Sequence, residues 1–332
     1  LLFCLACGDN RIEKGPIKRS GQADVVSLDD DWRFIRYGLQ ADGTRVDEPA
    51  GMFEPATDDS DWETLDVPHD FAIKGPFRMD LAGNTGRLPF QGIGWYRKTF
   101  TVDEADQRKR FYVDFDGVMA NAQVWLNVEY VGTWPYGYNS FRLDLTPFIQ
   151  VGKENLLAVR TDTEKWDSRW YPGAGIYRHV WLVKTGQVHV RHWGTKIEAT
   201  NLTDKTADLH LTVEVENHMN EDAKAVVKTS VYELDSLDCL GKRVLRFDDQ
   251  TLLLKAMSAG KINLQKRMDD CKRWDIESPN RYMACVTVQV DGQETDRYYT
   301  PFGVREISVS REGFFLNGRR VEIKGVCNHH DL

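Results

Sequence analysis

Leu209-His210-Leu211-Thr212-Val213-Glu214-Val215 places an apolar side chain at every second position with a polar one between. A period of two puts all the apolar groups on one face of an extended strand and all the polar ones on the other. Ala284, Val286, Val288 and Val290 repeat the pattern, as do Phe111, Val113 and Phe115 across Tyr112 and Asp114. Val124, Leu126 and Val128 alternate across Trp125 and Asn127 in the same way. No stretch shows sustained helical periodicity; Val102 to Arg110 predicts only a short turn or loop. Many short strands without intervening helices bury their apolar faces against one another, so the expected class is mainly β, built as sandwiches.

Punctuation divides the chain. Residues 25–184 are too many for a seven-strand sandwich and suit a jelly roll. Residues 185–300, starting at Thr185-Gly186, have the size of an immunoglobulin-like sandwich but no Cys…Trp…Cys pattern across facing strands. Asp291-Gly292 and Asn317-Gly318 are two-residue hairpin signals. Beyond them, Val321-Glu322-Ile323-Lys324-Gly325-Val326 reads as a short strand running into Cys327-Asn328-His329-His330-Asp331. Polar, ionisable residues at the C-terminal end of a strand are what a (β/α)8 barrel places at its active face. A full barrel takes roughly 250 residues, so residues 301–332 are expected to be only its start, truncated after the first strand.

The formal net charge of −8 over 332 residues argues against nucleic acid and anionic membrane surfaces as partners, because both call for clustered Lys and Arg. Ten Trp and 12 Tyr suit stacking on sugars, though most aromatics in a β-protein are core. The six cysteines fall at 4, 7, 239, 271, 285 and 327, with no metal-ligand spacing except Cys4-x-x-Cys7. That pair lies in the apolar opening Leu1-Leu2-Phe3-Cys4-Leu5-Ala6-Cys7, which reads as the tail of an export signal. Leu5-Ala6-Cys7 resembles the end of a bacterial lipoprotein signal, which makes Cys7 the lipidation candidate; a plain secretory signal and a terminus without function are the alternatives. Residues 1–24 are therefore expected to be a signal remnant and tether, on a periplasmic or outer-membrane lipoprotein of a Gram-negative bacterium. The runs Asp29-Asp30-Asp31 and Asp58-Asp59 read as solvated turns, without the glycine-and-glutamate pattern of a calcium loop.

Asp58-Asp59-Ser60-Asp61-Trp62, Val67-Pro68-His69-Asp70 and Gly94-Trp95-Tyr96-Arg97-Lys98-Thr99-Phe100 follow one another in a particular order. Phe115-Asp116-Gly117-Val118, Val124-Trp125-Leu126-Asn127, Gly137-Tyr138 and Arg169-Trp170-Tyr171-Pro172-Gly173-Ala174-Gly175-Ile176-Tyr177-Arg178 continue it, and Phe302-Gly303-Val304-Arg305 closes it. The ordered set, from about Val25 to Leu332, resembles glycoside hydrolase family 2, and the 169–178 stretch favours its β-galactosidases over its glucuronidases and mannosidases. The resemblance implies a retaining hydrolysis of terminal β-galactosides by two glutamates, with carboxyls roughly 5–5.5 Å apart. Both come from later barrel strands, so neither lies in this sequence; Glu312 and Glu322 are not substitutes. Magnesium and sodium are implied for such enzymes although no ligand set is evident here, and a homo-oligomer is compatible with the family.

Site candidates follow from the same resemblance. His329 stands where the family places a pocket histidine, and a neutral imidazole both donates and accepts, which suits sugar hydroxyls. Asn328 and His330 flank it. Asp167 precedes Arg169-Trp170 in a loop that relatives send into the pocket, where a carboxylate accepts from hydroxyls or holds sodium; a solvated loop Asp is the alternative. Trp170 and Tyr171 wall the pocket or pack within their own loop. Asn84, in Leu81-Ala82-Gly83-Asn84-Thr85-Gly86, and Gln91 sit on a second loop pointed at the sugar, or in an ordinary turn. His69 and Asp70 read as a structural pair stitching loops to the sandwich. A different class of function, a non-catalytic carbohydrate-binding module, would use Trp125, Trp134 and Tyr136.

Overall fold

The computed structural model describes residues 19–165 and 168–326, so Cys7, Asp167, Asn328, His329 and His330 lie outside the described residues. The described chain divides into two compact units, Asp24–Lys184 and a second that joins Thr185–Gly325 to residues 19–23. Among the described residues the helical pieces are two single 3-10 turns, Gly83–Thr85 and Glu104–Asp106; the rest of the regular structure is strand.

The first unit is a sandwich of a seven-stranded and a four-stranded sheet. The larger sheet runs Arg45–Val46, Trp32–Leu39, Ile93–Thr101, Glu154–Asp162, Ala122–Leu126, Glu129–Trp134, with Glu63–Leu65 also beside Trp32–Leu39. The smaller runs Phe141–Asp144, Arg110–Phe115, Val180–Thr185, Val25–Ser27. Phe34, Tyr96, Val124, Leu126, Leu157 and Val159 of one sheet meet Phe111, Val113, Phe115, Phe141, Val180 and Leu182 of the other in a single core. Burying a Phe or Leu there stabilises by about 1.5–3 kcal/mol each before conformational entropy is charged. The outer face of the larger sheet is also covered. Met52, Phe53 and Trp62 pack over Trp95, Trp125 and Ala158, and Glu48 accepts from Trp95 Nε1 at 2.7 Å and from Arg160 at 2.6 Å. Trp125 is thereby stacked between Phe53 and Trp95, and Trp134 lies flat on Phe141. Of the three aromatics named for a binding module, only Tyr136 is half exposed.

The second unit is a sandwich of six and three strands. Ala207–Asn217 alternates buried and half-buried along its whole length, with Leu209, Leu211, Val213 and Val215 inward. They pack with Val286 and Val288 of the strand Arg281–Val290. Three short strands, Ile307–Ser310, Gly313–Leu316 and Arg319–Val321, form a separate antiparallel meander.

Both expected hairpins form. Asp291 and Gly292 have φ of 51° and 78°, and Asn317 and Gly318 have 52° and 76°, both residues left-handed as a two-residue turn between twisted strands requires. A third such turn escaped the alternation pattern. Asn127 and Val128 have φ of 51° and 75°, so the strand stops at Leu126 and Val128 is a turn residue, not a strand-face residue. The Asn127 side chain holds the turn. Its amide donates to Phe148 O at 3.0 Å and Asn155 Oδ1 at 2.8 Å, and its Oδ1 accepts from Leu156 N at 3.0 Å.

Three other expectations change. The strand expected over 321–326 ends at Val321, and residues 322–326 are irregular with Ile323 and Val326 exposed. A barrel strand depends on parallel neighbours, and none pairs with 322–326 among the described residues. The tether expected through residue 24 contributes Gly21–Gln22 as a strand on Gln293–Phe302. The acidic runs are not simply solvated: Asp29 accepts from Val180 N at 2.9 Å and meets His179 Nδ1 at 2.8 Å, while Asp59 pairs with Arg97 at 3.2 Å.

Candidate functional site

The loop after residue 78 is clamped at its far end. Arg36, on the strand Trp32–Leu39, donates to Leu39 O at 2.8 Å, Pro89 O at 2.9 Å and Gln91 O at 2.7 Å. Thr163 Oγ1 donates to Phe90 O at 2.6 Å and accepts from Gly92 N at 3.1 Å. Ahead of these anchors the chain makes the 3-10 turn Gly83–Thr85, closed by left-handed Gly86. Asn84 rides on that turn, exposed, with its amide 3.5 Å from Ser168 O.

Two candidate loops, read separately from the sequence, therefore meet at Ser168. Ser168 Oγ accepts from Trp170 N at 3.2 Å, and the Trp170 indole N–H donates to Tyr138 Oη at 2.8 Å. Tyr138 sits edge-on to Tyr136, and Trp170 and Tyr136 each keep half their surface in solvent. Asn84, Gln91, Gln40 and Ser168 line a hollow of about 190 Å³. This is below the roughly 300–1,000 Å³ of a complete ligand pocket, so it offers a shelf of mixed polar and apolar lining and not an enclosure. Amide and hydroxyl groups beside half-exposed aromatics suit the alternating polar and apolar faces of a pyranose. Tyr138, Ser168 and Arg36 were not singled out as site residues. Gly137-Tyr138 was a visible motif, but neither Arg36 nor Ser168 carries a local signal.

A half-buried latch holds the same loop on the other side of Trp170. Tyr171 Oη donates to Asp70 Oδ2 at 2.6 Å, and Asp70 Oδ1 accepts from Ala72 N at 3.0 Å and Ala174 N at 3.1 Å. Burial pushes the Asp70 carboxyl above its usual range against these donors, and raises the Tyr171 phenol, whose pKa the Asp70 charge pushes further up. Tyr171 thus packs within the fold and does not wall the shelf. His69 and Asp70 do not pair with each other; each stitches separately. His69 Nδ1 lies 2.9 Å from Tyr96 Oη, and its backbone N–H donates to Ile176 O at 2.7 Å. Burial lowers the His69 pKa to about 4, so the ring is neutral and accepts from the Tyr96 hydroxyl. Gly175 makes room: a Cβ there would sit 2.2 Å from Tyr96 Oη.

Magnesium and sodium take oxygen ligands. Among the described residues, three His, Cys, Asp or Glu donors approach closely enough to share an ion only at His189, Glu216 and His218. Two imidazoles and one carboxylate suit neither of those ions.

Family models decide the relationship. The sugar binding domain of glycosyl hydrolases family 2 matches residues 25–186, and a second glycosyl hydrolases family 2 model matches residues 188–305. The chain belongs to glycoside hydrolase family 2. It is 41% identical to the Beta-galactosidase BoGH2A of Bacteroides ovatus over 91% of this chain and 34% of that protein. A provisionally named beta-glucuronidase of Formosa agariphila is 36% identical over 94% of this chain and 28% of its own length. A crystal structure of a family 2 member from Bacteroides cellulosilyticus superposes with a TM-score of 0.82 at 32% identity, covering 92% of this chain and 38% of that one. This family 2 chain spans about a third of the length of these curated relatives.

Proposed function

We propose that this family 2 chain is the sugar-recognising front part of a retaining exo-β-galactosidase, whose acid/base and nucleophilic glutamates are supplied by sequence beyond it. One observation carries the choice of sugar: identity is higher to the Bacteroides ovatus beta-galactosidase, 41%, than to the Formosa protein, 36%. The Asn84–Ser168–Trp170 shelf supports a role in holding the glycan, and His329, Asn328, His330 and Asp167 are proposed to complete it. The likeness to the Formosa protein favours a second reading, a β-glucuronidase.

Aryl β-galactoside and aryl β-glucuronide, offered in parallel to the 332-residue chain and to the protein extended through its barrel, separate these readings. We expect the extended protein to cleave the galactoside at least tenfold more efficiently, and the chain alone to cleave neither. Preference for the glucuronide establishes the second reading. Turnover by the purified chain alone overturns both, and glycan binding by an extended protein that cleaves nothing establishes a carbohydrate-binding module. Attachment through a lipid on Cys7, in the periplasm or at the outer membrane, is proposed with it; labelled palmitate entering the wild type but not Cys7→Ser is the expected result.

A further inference from the structure

In the second unit the strands Val188–Thr200 and Ala207–Asn217 pair antiparallel with His189 opposite Glu216. Directly opposed residues project to the same face of a sheet, and a residue two positions on projects there too. His218 is that residue. Its backbone N–H donates to Gln187 O at 2.9 Å, which extends the ladder by one step. The neighbouring Asn217 is buried, donating to Glu221 O and Lys255 O and accepting from Met219 N, so the turn that presents His218 is held in place. The two imidazoles stack with centroids 5.1 Å apart and planes 6° apart.

We propose that His189, Glu216 and His218 bind a divalent ion of the zinc class (zinc, cobalt or nickel), outside the sugar shelf. Three observations converge. The His218 and His189 Nε2 atoms lie 3.3 and 3.7 Å from the same oxygen, Glu216 Oε2, and all three donor atoms fall within 4.8 Å of one another. Two ligands of one tetrahedral zinc ion stand about 3.3–3.5 Å apart, longer than an ordinary N–H···O bond. His189 Nδ1 lies 3.1 Å from Gly186 O, and a carbonyl only accepts, so Nδ1 carries a proton and a neutral His189 presents a lone pair at Nε2. A backbone carbonyl on the outer nitrogen is the usual support for a ligating histidine. The donor set itself, two imidazoles and a carboxylate, selects borderline ions over calcium or magnesium. Water completes the fourth position on the solvent side, where Glu216 and His218 are each about a quarter exposed.

The cation already present is Arg191, whose Nε sits 3.3 Å from Glu216 Oε1. Its side chain is 56% exposed and also reaches Glu214 at 3.4 Å, which leaves it an alternative partner when an ion arrives. Arg191 therefore competes with the metal, and its removal tightens binding.

Cobalt(II) is the probe, titrated into the complete 332-residue chain freed of metal, with visible absorption and zinc competition as readouts. We expect one equivalent to bind at this site. Affinity falls at least tenfold in His218→Asn and in Glu216→Gln, and rises severalfold in Arg191→Ala. Circular dichroism without metal checks that each variant is folded. Unchanged binding in His218→Asn and Glu216→Gln assigns the ion to other cysteines or histidines and overturns the proposal, as does a wild-type chain that binds no cobalt. If His218→Asn fails to fold, Glu216→Gln and Arg191→Ala decide it by their opposite signs.

Discussion

Tyr171 and Asp70, 101 residues apart, share a 2.6 Å hydrogen bond that joins the Arg169–Arg178 loop to the segment following Pro68. The bond supports an ionised carboxylate in a place where burial opposes ionisation. Tyr171 is thereby committed to holding its loop, and the half-exposed Trp170 beside it is left to face solvent.

Tyr171→Phe removes that donor and leaves Asp70 short of one partner. The expected loss is about 1–3 kcal/mol in urea unfolding at neutral pH. A carboxyl whose folded pKa is raised favours folding when protonated and opposes it once ionised. The deficit of the variant should therefore narrow as pH falls through the titration of Asp70.

His69 titrates in the opposite sense. Its folded pKa, about 4, is depressed below the ordinary 6.5, so its contribution is present above 6.5 and is lost as pH falls towards 4. Partial exposure of the ring screens the effect, and the expected loss across this window is about 1–2 kcal/mol. His69→Asn keeps an acceptor near the Tyr96 hydroxyl but does not titrate. Its thermal stability should be flatter between pH 6.5 and 4; equal slopes would remove His69 as the cause.

Val128 occupies a left-handed turn position that costs an L-residue roughly 1–2 kcal/mol. Its side chain is 44% exposed, so little packing is lost on removal. Val128→Gly should stabilise the chain by about 0.5–1 kcal/mol, the greater freedom of glycine in the unfolded chain offsetting the remainder. Chemical denaturation measures it directly.

Asn84 is exposed and makes one long contact, so Asn84→Ala should leave the unfolding midpoint of the chain unchanged. In the barrel-extended enzyme the same change should raise KM for an aryl β-galactoside about tenfold, the worth of one hydrogen bond at about 1.4 kcal/mol. A KM that does not move would take Asn84 off the shelf.

Much of this fold was legible because period-two burial is a local property. Leu209 to Val215 and the Asp291-Gly292 and Asn317-Gly318 turns announce themselves within a few residues. Val128 misled because its alternation continues through the turn, and only Asn127 hints that the strand has stopped. The apolar run 321–326 misled for a different reason: composition permits a strand, but pairing makes one. The candidate shelf was half legible. Asn84 and Trp170 were visible as residues on suggestive loops, while their meeting at Ser168 depends on contacts across 84 positions. The His189–Glu216–His218 cluster was invisible for the same reason, since only strand register places residue 189 opposite 216.

The clasp made by Arg36 and Thr163 lies wholly outside the segment 81–87 that it steadies. That separation turns the segment into an exchangeable cassette. Its residues can be replaced or lengthened while the chain at 89–92 stays fastened to the sheet, and each added residue costs little further entropy. If the shelf holds glycan as proposed, a library confined to 81–87 changes which glycan is met while the sandwich core is left intact.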